Sequence, residues 1–282
     1  MTSAVLAPDG PAANRRSARG GLPLTPVSGL GLGVAMLWFS LLVLIPLAAV
    51  VVTASQGGWG GLWQTVTNEQ TAAAIRLTVG TAALVTLVNI VMGTLIAWVL
   101  VRDRFAGKRA LEILIDVPFA LPTIVAGLVL LSLYGPDSPL GVNVANTRAA
   151  VFLAFLFVTL PFIVRTVQPV LAELDPEIEE AAASLGASRL TTFRRIILPS
   201  LTPAIAAGAA LSFARGISEY GSLVLLSGNL PMRTEVASVR ILSSIENDNP
   251  DSAAAVAVVL LTISFAVIVV LDLVQRRVVR RG

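Results

Sequence analysis

The chain has 282 residues, 55% of them hydrophobic and 13% charged, with a mean hydropathy of +0.83, a balance found in integral membrane proteins. It contains neither cysteine nor histidine, which excludes disulfides, thiolate chemistry, imidazole metal sites and histidine-based triads. A net charge of only +3 offers no broad basic face, so nucleic acid is not an expected partner, and no catalytic residue, metal or cofactor is expected either.

Residues 1–28, rich in Pro, Gly, Ala and Ser, read as a disordered tail that carries Arg15, Arg16 and Arg19. The apolar run behind them is too long for a signal-peptide core, which spans about 7 to 15 residues, so residues 30–54 are predicted as span 1, with a kink at Pro46. Together with an outer loop it fills residues 29–73. Span 2 is predicted over 75–101 and ends at the basic loop "RDRFAGKR". Span 3, over 113–134, opens "DVPFALPTIVAG"; Pro118 and Pro122 each remove a backbone hydrogen bond, so it should be bent or broken. Span 4 covers 149–168, with Arg165 near its end reaching for the headgroups, and Asp116 is read as the end of the preceding loop. Span 5 covers 203–227 and includes Arg215 and Glu219; span 6 covers 253–274 and runs into a basic tail at 276–282. The expected fold class is therefore an all-α polytopic membrane protein with six transmembrane helices, and no internal repeat is visible.

Fourteen of the 20 Lys and Arg fall on the side that holds the N-terminus, four (Arg76, Arg148, Arg233, Arg240) on the other, and Arg165 and Arg215 lie within spans. By the positive-inside rule both termini are cytoplasmic, in a cell (plasma or inner) membrane. The segment "EEAAASLGASRLTTFRRIILPS", residues 179–200, then lies in the cytoplasm between spans 4 and 5. Asp175-Pro176 reads as a helix start and Gly186 as its end. Ile178, Ala182 and Leu185 fall on one face, and Ser188 caps a second short helix, striped by Leu190, Phe193 and Ile197 and ended by Pro199 and Pro203. A membrane-surface loop with no partner would have the same amphipathic pattern.

The order of Glu180-Ala181-Ala182, three residues, Gly186, nine residues, Ile196, one residue, Leu198-Pro199 resembles the EAA loop of ATP-binding-cassette (ABC) importer permeases at every fixed position. The stretches "PFALPTIVAGLVLLSLYG", "TLPFIVRTVQPVLAELDPEIEEAAASLGAS" and "ALSFARGISEYGSLVLLSGNLPMRTEVAS" extend the likeness over about residues 70–275, to the T-type permeases of sulfate and thiosulfate importers. Molybdate and tungstate permeases share part of it. The resemblance implies a type I, MetI-like permease domain over 74–275 with its coupling loop at 175–200. It also implies a heterodimer with a second, W-like permease, two copies of a cytoplasmic ATPase and an extracytoplasmic sulfate-binding protein, all working in membrane lipid.

The chain has no phosphate cradle of its own, since its only Gly-Lys pair, Gly107-Lys108, is followed by Arg109 and lacks the upstream glycine. Energy is expected to enter from the ATPase through the EAA loop, where Glu180 either pairs with Arg194 or Arg195 or touches the ATPase. Arg215 and Glu219, four apart, either fix helix packing or place a cation on the anion's path. The outer segment "NLPMRTEVASVRILSSIENDNPD" reads as a surface helix that docks the binding protein or as a solvated loop. A stand-alone ion-coupled carrier would leave the EAA loop without a purpose, and a membrane-embedded enzyme lacks clustered carboxylates.

Overall fold

A computed structural model describes residues 25–279, so most of the expected tail at 1–28 and the last residues of the basic tail at 276–282 lie outside the described residues. The chain divides into two compact units, Met1–Ala48 and Ala49–Gly282. In the first, α1 (Pro26–Phe39) is capped by Thr25, whose side chain accepts from the Ser28 amide, and passes into a π-helical turn, Ser40–Leu44; α2 (Ile45–Gln56) follows, and from Ala49 on it belongs to the second unit. The whole stretch Val27–Gln56 is one 30-residue apolar helix with no break at Pro46. The Ile45 amide bonds back to the Ser40 carbonyl, and this wider turn takes up the carbonyl of Leu42, four residues before Pro46, that a proline ring would otherwise strike.

The second unit continues with α3 (Gly58–Thr67), α4 (Glu69–Arg102), α5 (Lys108–Ala120), α6 (Thr123–Tyr134), α7 (Arg148–Glu173) and α8 (Pro176–Ser184). It ends with α9 (Arg189–Thr192), α10 (Leu198–Ile217), α11 (Gly221–Leu226), α12 (Ala237–Glu246) and α13 (Pro250–Val279). Helices α4, α7 and α10 pack on one another, α13 lies against α10, α11 against α6, and α12 against α13 and α4. Small residues set the spacing. A Cβ added to Gly93 of α4 would lie 2.8 Å from the Ile163 Cβ, and one added to Gly208 of α10 would lie 3.0 Å from the Ile163 Cα, so α7 is gripped on two sides at the same residue.

Among the described residues the interior has two apolar clusters, one around Phe155, Phe213, Leu223 and Leu226, the other around Leu100, Ile163, Val167, Leu171 and Leu201. A polar cluster on the same three helices ties them together: Asn89 Nδ2 donates to Thr159 Oγ1 at 2.8 Å and to Ser212 Oγ at 3.5 Å, with all three side chains buried. In a bilayer such a cluster is favourable because the alternative is a polar group in hydrocarbon.

Among the described residues five helices are long and apolar enough to cross a membrane, and the pair α5 and α6, bent by 119°, makes a sixth if it is one broken span. The chain path supports that. Helix α5 starts a short loop after the end of α4, while Tyr134 at the end of α6 accepts at 2.9 Å from the Val144 amide, just ahead of the Thr147 cap of α7. The pair therefore joins opposite ends of the bundle. The break falls at Leu121-Pro122 and not at Pro118, which stays inside α5; Pro122 forces Leu121 into extended backbone (φ −86°, ψ 135°).

Span 5 corrects the sequence reading twice. Helix α10 stops at Ile217 instead of 227, and after the non-helical stretch 218–220 the chain restarts as α11. At its other end Pro199 and Pro203 do not separate it from the cassette, because Arg189–Ile217 is one continuous 29-residue helix. A π-helical turn, Phe193–Ile197, precedes Pro199 as the other precedes Pro46, and here too it contains the carbonyl four residues back, that of Arg195.

Candidate functional site

The cassette is built around α8. Asp175 caps it, its Oδ1 accepting from the Glu177 amide at 2.9 Å, and Pro176 holds the first helical position. At the far end Gly186 adopts φ +83° while its amide bonds to the Ala183 carbonyl at 2.9 Å and the Ala187 amide to the Ala182 carbonyl at 3.0 Å. That pair of bonds is a Schellman turn, which satisfies two carbonyls the helix leaves open. A Cβ at Gly186 would meet nothing within 4 Å, so the turn needs glycine for its backbone angle and not for space. Ser188 then caps α9, accepting from the Thr191 amide at 3.3 Å. The helix it starts runs on through the π-helical turn into α10, so a rotation of α9 is a rotation of span 5.

Of the motif residues, Glu180 and Ala181 are exposed on α8, Ala182 is buried, Ile196 is half-buried in the π-helical turn, and Leu198 and Pro199 lie exposed where α10 begins. The face expected to pack as a unit is divided: Ala182 is buried, but Ile178 is 47% and Leu185 90% exposed. The side of α8 turned inward is set by Glu179, one residue from the expected glutamate. Its Oε1 accepts from Nη2 of Arg102, the last residue of α4, and the pair is partly shielded, with side chains 31% and 22% exposed. The Arg102 guanidinium also lies 5.7 Å from the centroid of the Trp98 ring, one turn back, and Trp98 meets the Phe193 ring edge-on at 5.7 Å. Trp98, Arg102, Glu179, Glu180, Leu190 and Phe193 line a groove of about 730 Å³. Among the described residues Glu180 makes no ion pair with Arg194 or Arg195. The sequence carried a signal for this contact, Trp98 and Arg102 at i, i+4 beside a helix of adjacent glutamates, but Arg102 read only as one charge in a basic loop.

The second candidate pair is joined: Arg215 Nη1 stands 2.6 Å from Glu219 Oε2. Glu219 is not on the α10 face, however. It lies in the break beyond α10, almost fully buried, where Oε1 accepts from the Ser222 amide at 3.0 Å and the Ser222 hydroxyl at 2.8 Å and so holds the start of α11. Its carbonyl accepts from Ser238 Oγ at 2.6 Å. The Arg215 side chain remains 28% exposed. The two helix breaks are neighbours, since Gly221 abuts Thr123 and Gly127 abuts the Ser222 backbone with no room for a Cβ at either glycine.

Arg165, expected to reach for the headgroups, is held by partners within the chain. Its Nε donates to Asp116 Oδ1 at 2.7 Å, Nη1 to Gln168 Oε1 at 2.8 Å and Nη2 to the Glu112 carbonyl at 3.0 Å, a forked clamp between α7 and α5; Asp116 thus lies inside a helix and serves as its anchor. At the other end of the bundle Arg76 and Arg148 line a cleft of about 380 Å³ with Thr81. The segment read as a surface helix or loop does contain a short helix, α12, with Ile245 exposed, but its start is packed: Glu235, Val236, Ala237 and Val239 are buried, and the Ala237 amide donates to Thr78 Oγ1 at 2.8 Å.

Residues 89–281 match the family described as binding-protein-dependent transport system inner membrane component. The chain is 42% identical to the sulfate transport system permease protein CysT of Salmonella typhimurium over 259 residues, covering 89% of this chain and 94% of that protein. It is 43% identical to the CysT protein of Synechocystis sp., covering 86% and 87%. In structure it resembles a chain of the bacterial alginate ABC transporter in complex with an alginate pentasaccharide-bound periplasmic protein, with a TM-score of 0.73 at 18% identity over 89% of this chain and 94% of that one. A chain of the inward-facing MetNI methionine ABC transporter gives a TM-score of 0.55 at 16% identity over 73% and 94%. Both carry the MetI-like permease fold.

Proposed function

Because the chain belongs to the binding-protein-dependent transport system inner membrane components, we propose that it is the membrane permease of an ATP-driven importer that carries sulfate inward. It spans the membrane with the cassette and both termini in the cytoplasm, and the permease domain occupies residues 74–275. A separate ATPase dimer hydrolyses ATP, an extracytoplasmic protein delivers sulfate, and a second, W-like permease completes the pathway. Thiosulfate, an oxyanion of the same charge and similar shape, shares the route.

One observation carries the coupling reading: α8 is capped at both ends yet leaves Ile178 and Leu185 exposed. Apolar side chains turned outward on a helix stiffened at both ends suit a protein partner. When the ATPase closes on ATP, it carries α8 with it as a rigid body and the spans pass from inward-open to outward-open. On the path, Arg215 supplies a cation whose charge is part-neutralised by Glu219, so that the dianion is attracted without being retained. Arg76 and Arg148 add positive potential at the outer mouth, where the anion arrives.

The absence of native cysteine permits a direct test. Ser184→Cys, exposed on α8, should crosslink to the ATPase in a complex that still transports; a functional complex without that crosslink would sink the coupling reading. Labelled-sulfate uptake in cells lacking this chain should be restored by it and should resist competition by molybdate. Restored molybdate uptake with sulfate uptake unchanged would reassign the substrate.

A further inference from the structure

We propose that Arg102 is the positioning residue that ties the coupling helix to span 2, so that α4 delivers the ATPase stroke directly to the Arg215–Glu219 pair. The proposal rests on the coupling reading above and adds a route to it. Helix α8 is joined covalently only to α7 and, through the Gly186 turn, to α9 and α10. Its Glu179 supplies a third attachment, the ion pair to Arg102, and the Arg102–Trp98–Phe193 stack joins that attachment to the root of span 5. The driven helix is thus held by three spans.

Helix α4 suits transmission. It has 34 residues and no proline, which makes it a rod of about 50 Å. Near its other end Thr78 Oγ1 accepts from the Ala237 amide, and the next residue, Ser238, donates to the Glu219 carbonyl. Glu219 in turn holds Arg215 through its carboxylate. The contacts form one unbroken series from Glu179 to Arg215, and every link between the two ends is a hydrogen bond, an ion pair or a covalent helix. A displacement of α8 therefore moves the cation on the proposed path without relying on the turn at Gly186 alone.

The test uses the complete importer in proteoliposomes, measuring sulfate transported and ATP hydrolysed in the same sample. Arg102→Gln should assemble, keep the Ser184→Cys crosslink and hydrolyse ATP, yet transport about five- to tenfold less sulfate per ATP, the lower part of the range for coupling between sites. Arg102→Lys should recover part of the loss by keeping the charge, and the exchange Arg102→Glu with Glu179→Arg should recover more than either single reversal. An unchanged ratio of sulfate to ATP in Arg102→Gln overturns the proposal, even where the crosslink stands. If both Arg102→Gln and Glu179→Gln fail to assemble, the pair serves folding alone and the proposal is overturned as well. Loss of the crosslink in an otherwise unaltered importer removes the coupling reading instead, so the two failures are separable.

Discussion

Neutralising Glu219 separates a packing pair from a transport residue. The carboxylate is almost fully buried and makes three contacts: two hydrogen bonds from Ser222 to Oε1 and the charge contact of Oε2 with Arg215. Glu219→Ala removes all three and leaves the Ser222 amide and Arg215 uncompensated, which should cost about 3 to 5 kcal/mol, as for a buried pair broken on one side. Glu219→Gln keeps an acceptor for Ser222 and loses only the charge. Since the Arg215 side chain is 28% exposed and can reach water, that loss should cost less, about 1 to 3 kcal/mol. The double variant Arg215→Gln with Glu219→Gln removes both charges and should recover most of the stability. Thermal unfolding of the purified importer measures these steps, and sulfate uptake by the same preparations measures function. If the double variant regains stability but transports little sulfate, Arg215 acts on the anion; if it regains both, the pair only packs. A double variant no more stable than Glu219→Gln would refute the charge-compensation argument itself.

Gly186→Ala should cost about 1 kcal/mol through its positive φ alone, and Gly186→Asn less, because no atom crowds the site; uptake should follow the same order. Gly208→Ala tests space instead of angle: a Cβ there would press on the Ile163 Cα and Thr166 Oγ1, so a loss of about 1 to 3 kcal/mol is expected in thermal unfolding, and an unchanged transition would contradict the close contact of α7 and α10. Asp116→Asn should loosen α5 from α7 and raise the proteolytic sensitivity of the 103–107 loop while leaving the Ser184→Cys crosslink intact. Thr78→Val removes the acceptor of the Ala237 amide with little change in volume, and should lower sulfate transported per ATP without affecting assembly.

What the sequence could express was apolar periodicity and local capping, and the spans and caps it marked are present. Asp175, Pro176, Gly186 and Ser188 do what their chemistry requires because a cap depends on neighbours within four residues. The helix ends at Pro122 and Ile217 were harder to place, since proline marks a stress without saying which turn yields. Pro46 and Pro199 are each absorbed by a π-helical turn that no composition rule announces, whereas Pro122 breaks its helix outright. Least legible were the contacts between distant segments. The Arg102–Glu179 and Arg165–Asp116 pairs join residues 77 and 49 apart, and a sequence read helix by helix leaves each member as an exposed charge or a loop end.

The two helix breaks give the proposed path its most specific physical argument. Backbone that leaves helical geometry inside a membrane is tolerated only where protein or a water-lined cavity surrounds it, because exposed amides and carbonyls cost several kcal/mol each in hydrocarbon. Residues 121–122 and 218–220 are both non-helical, and α6 and α11 start beside each other with Thr123 against Gly221. Discontinuous helices that meet inside a transporter place helix N-termini, with their positive ends, beside substrate. The buried Glu219 carboxylate accepts from the Ser222 amide at the start of α11 and also holds Arg215, whose side chain stays 28% exposed at this junction. On the proposed path an anion would therefore meet the partly exposed Arg215 on a frame fixed by a buried carboxylate, an arrangement suited to passage more than to storage.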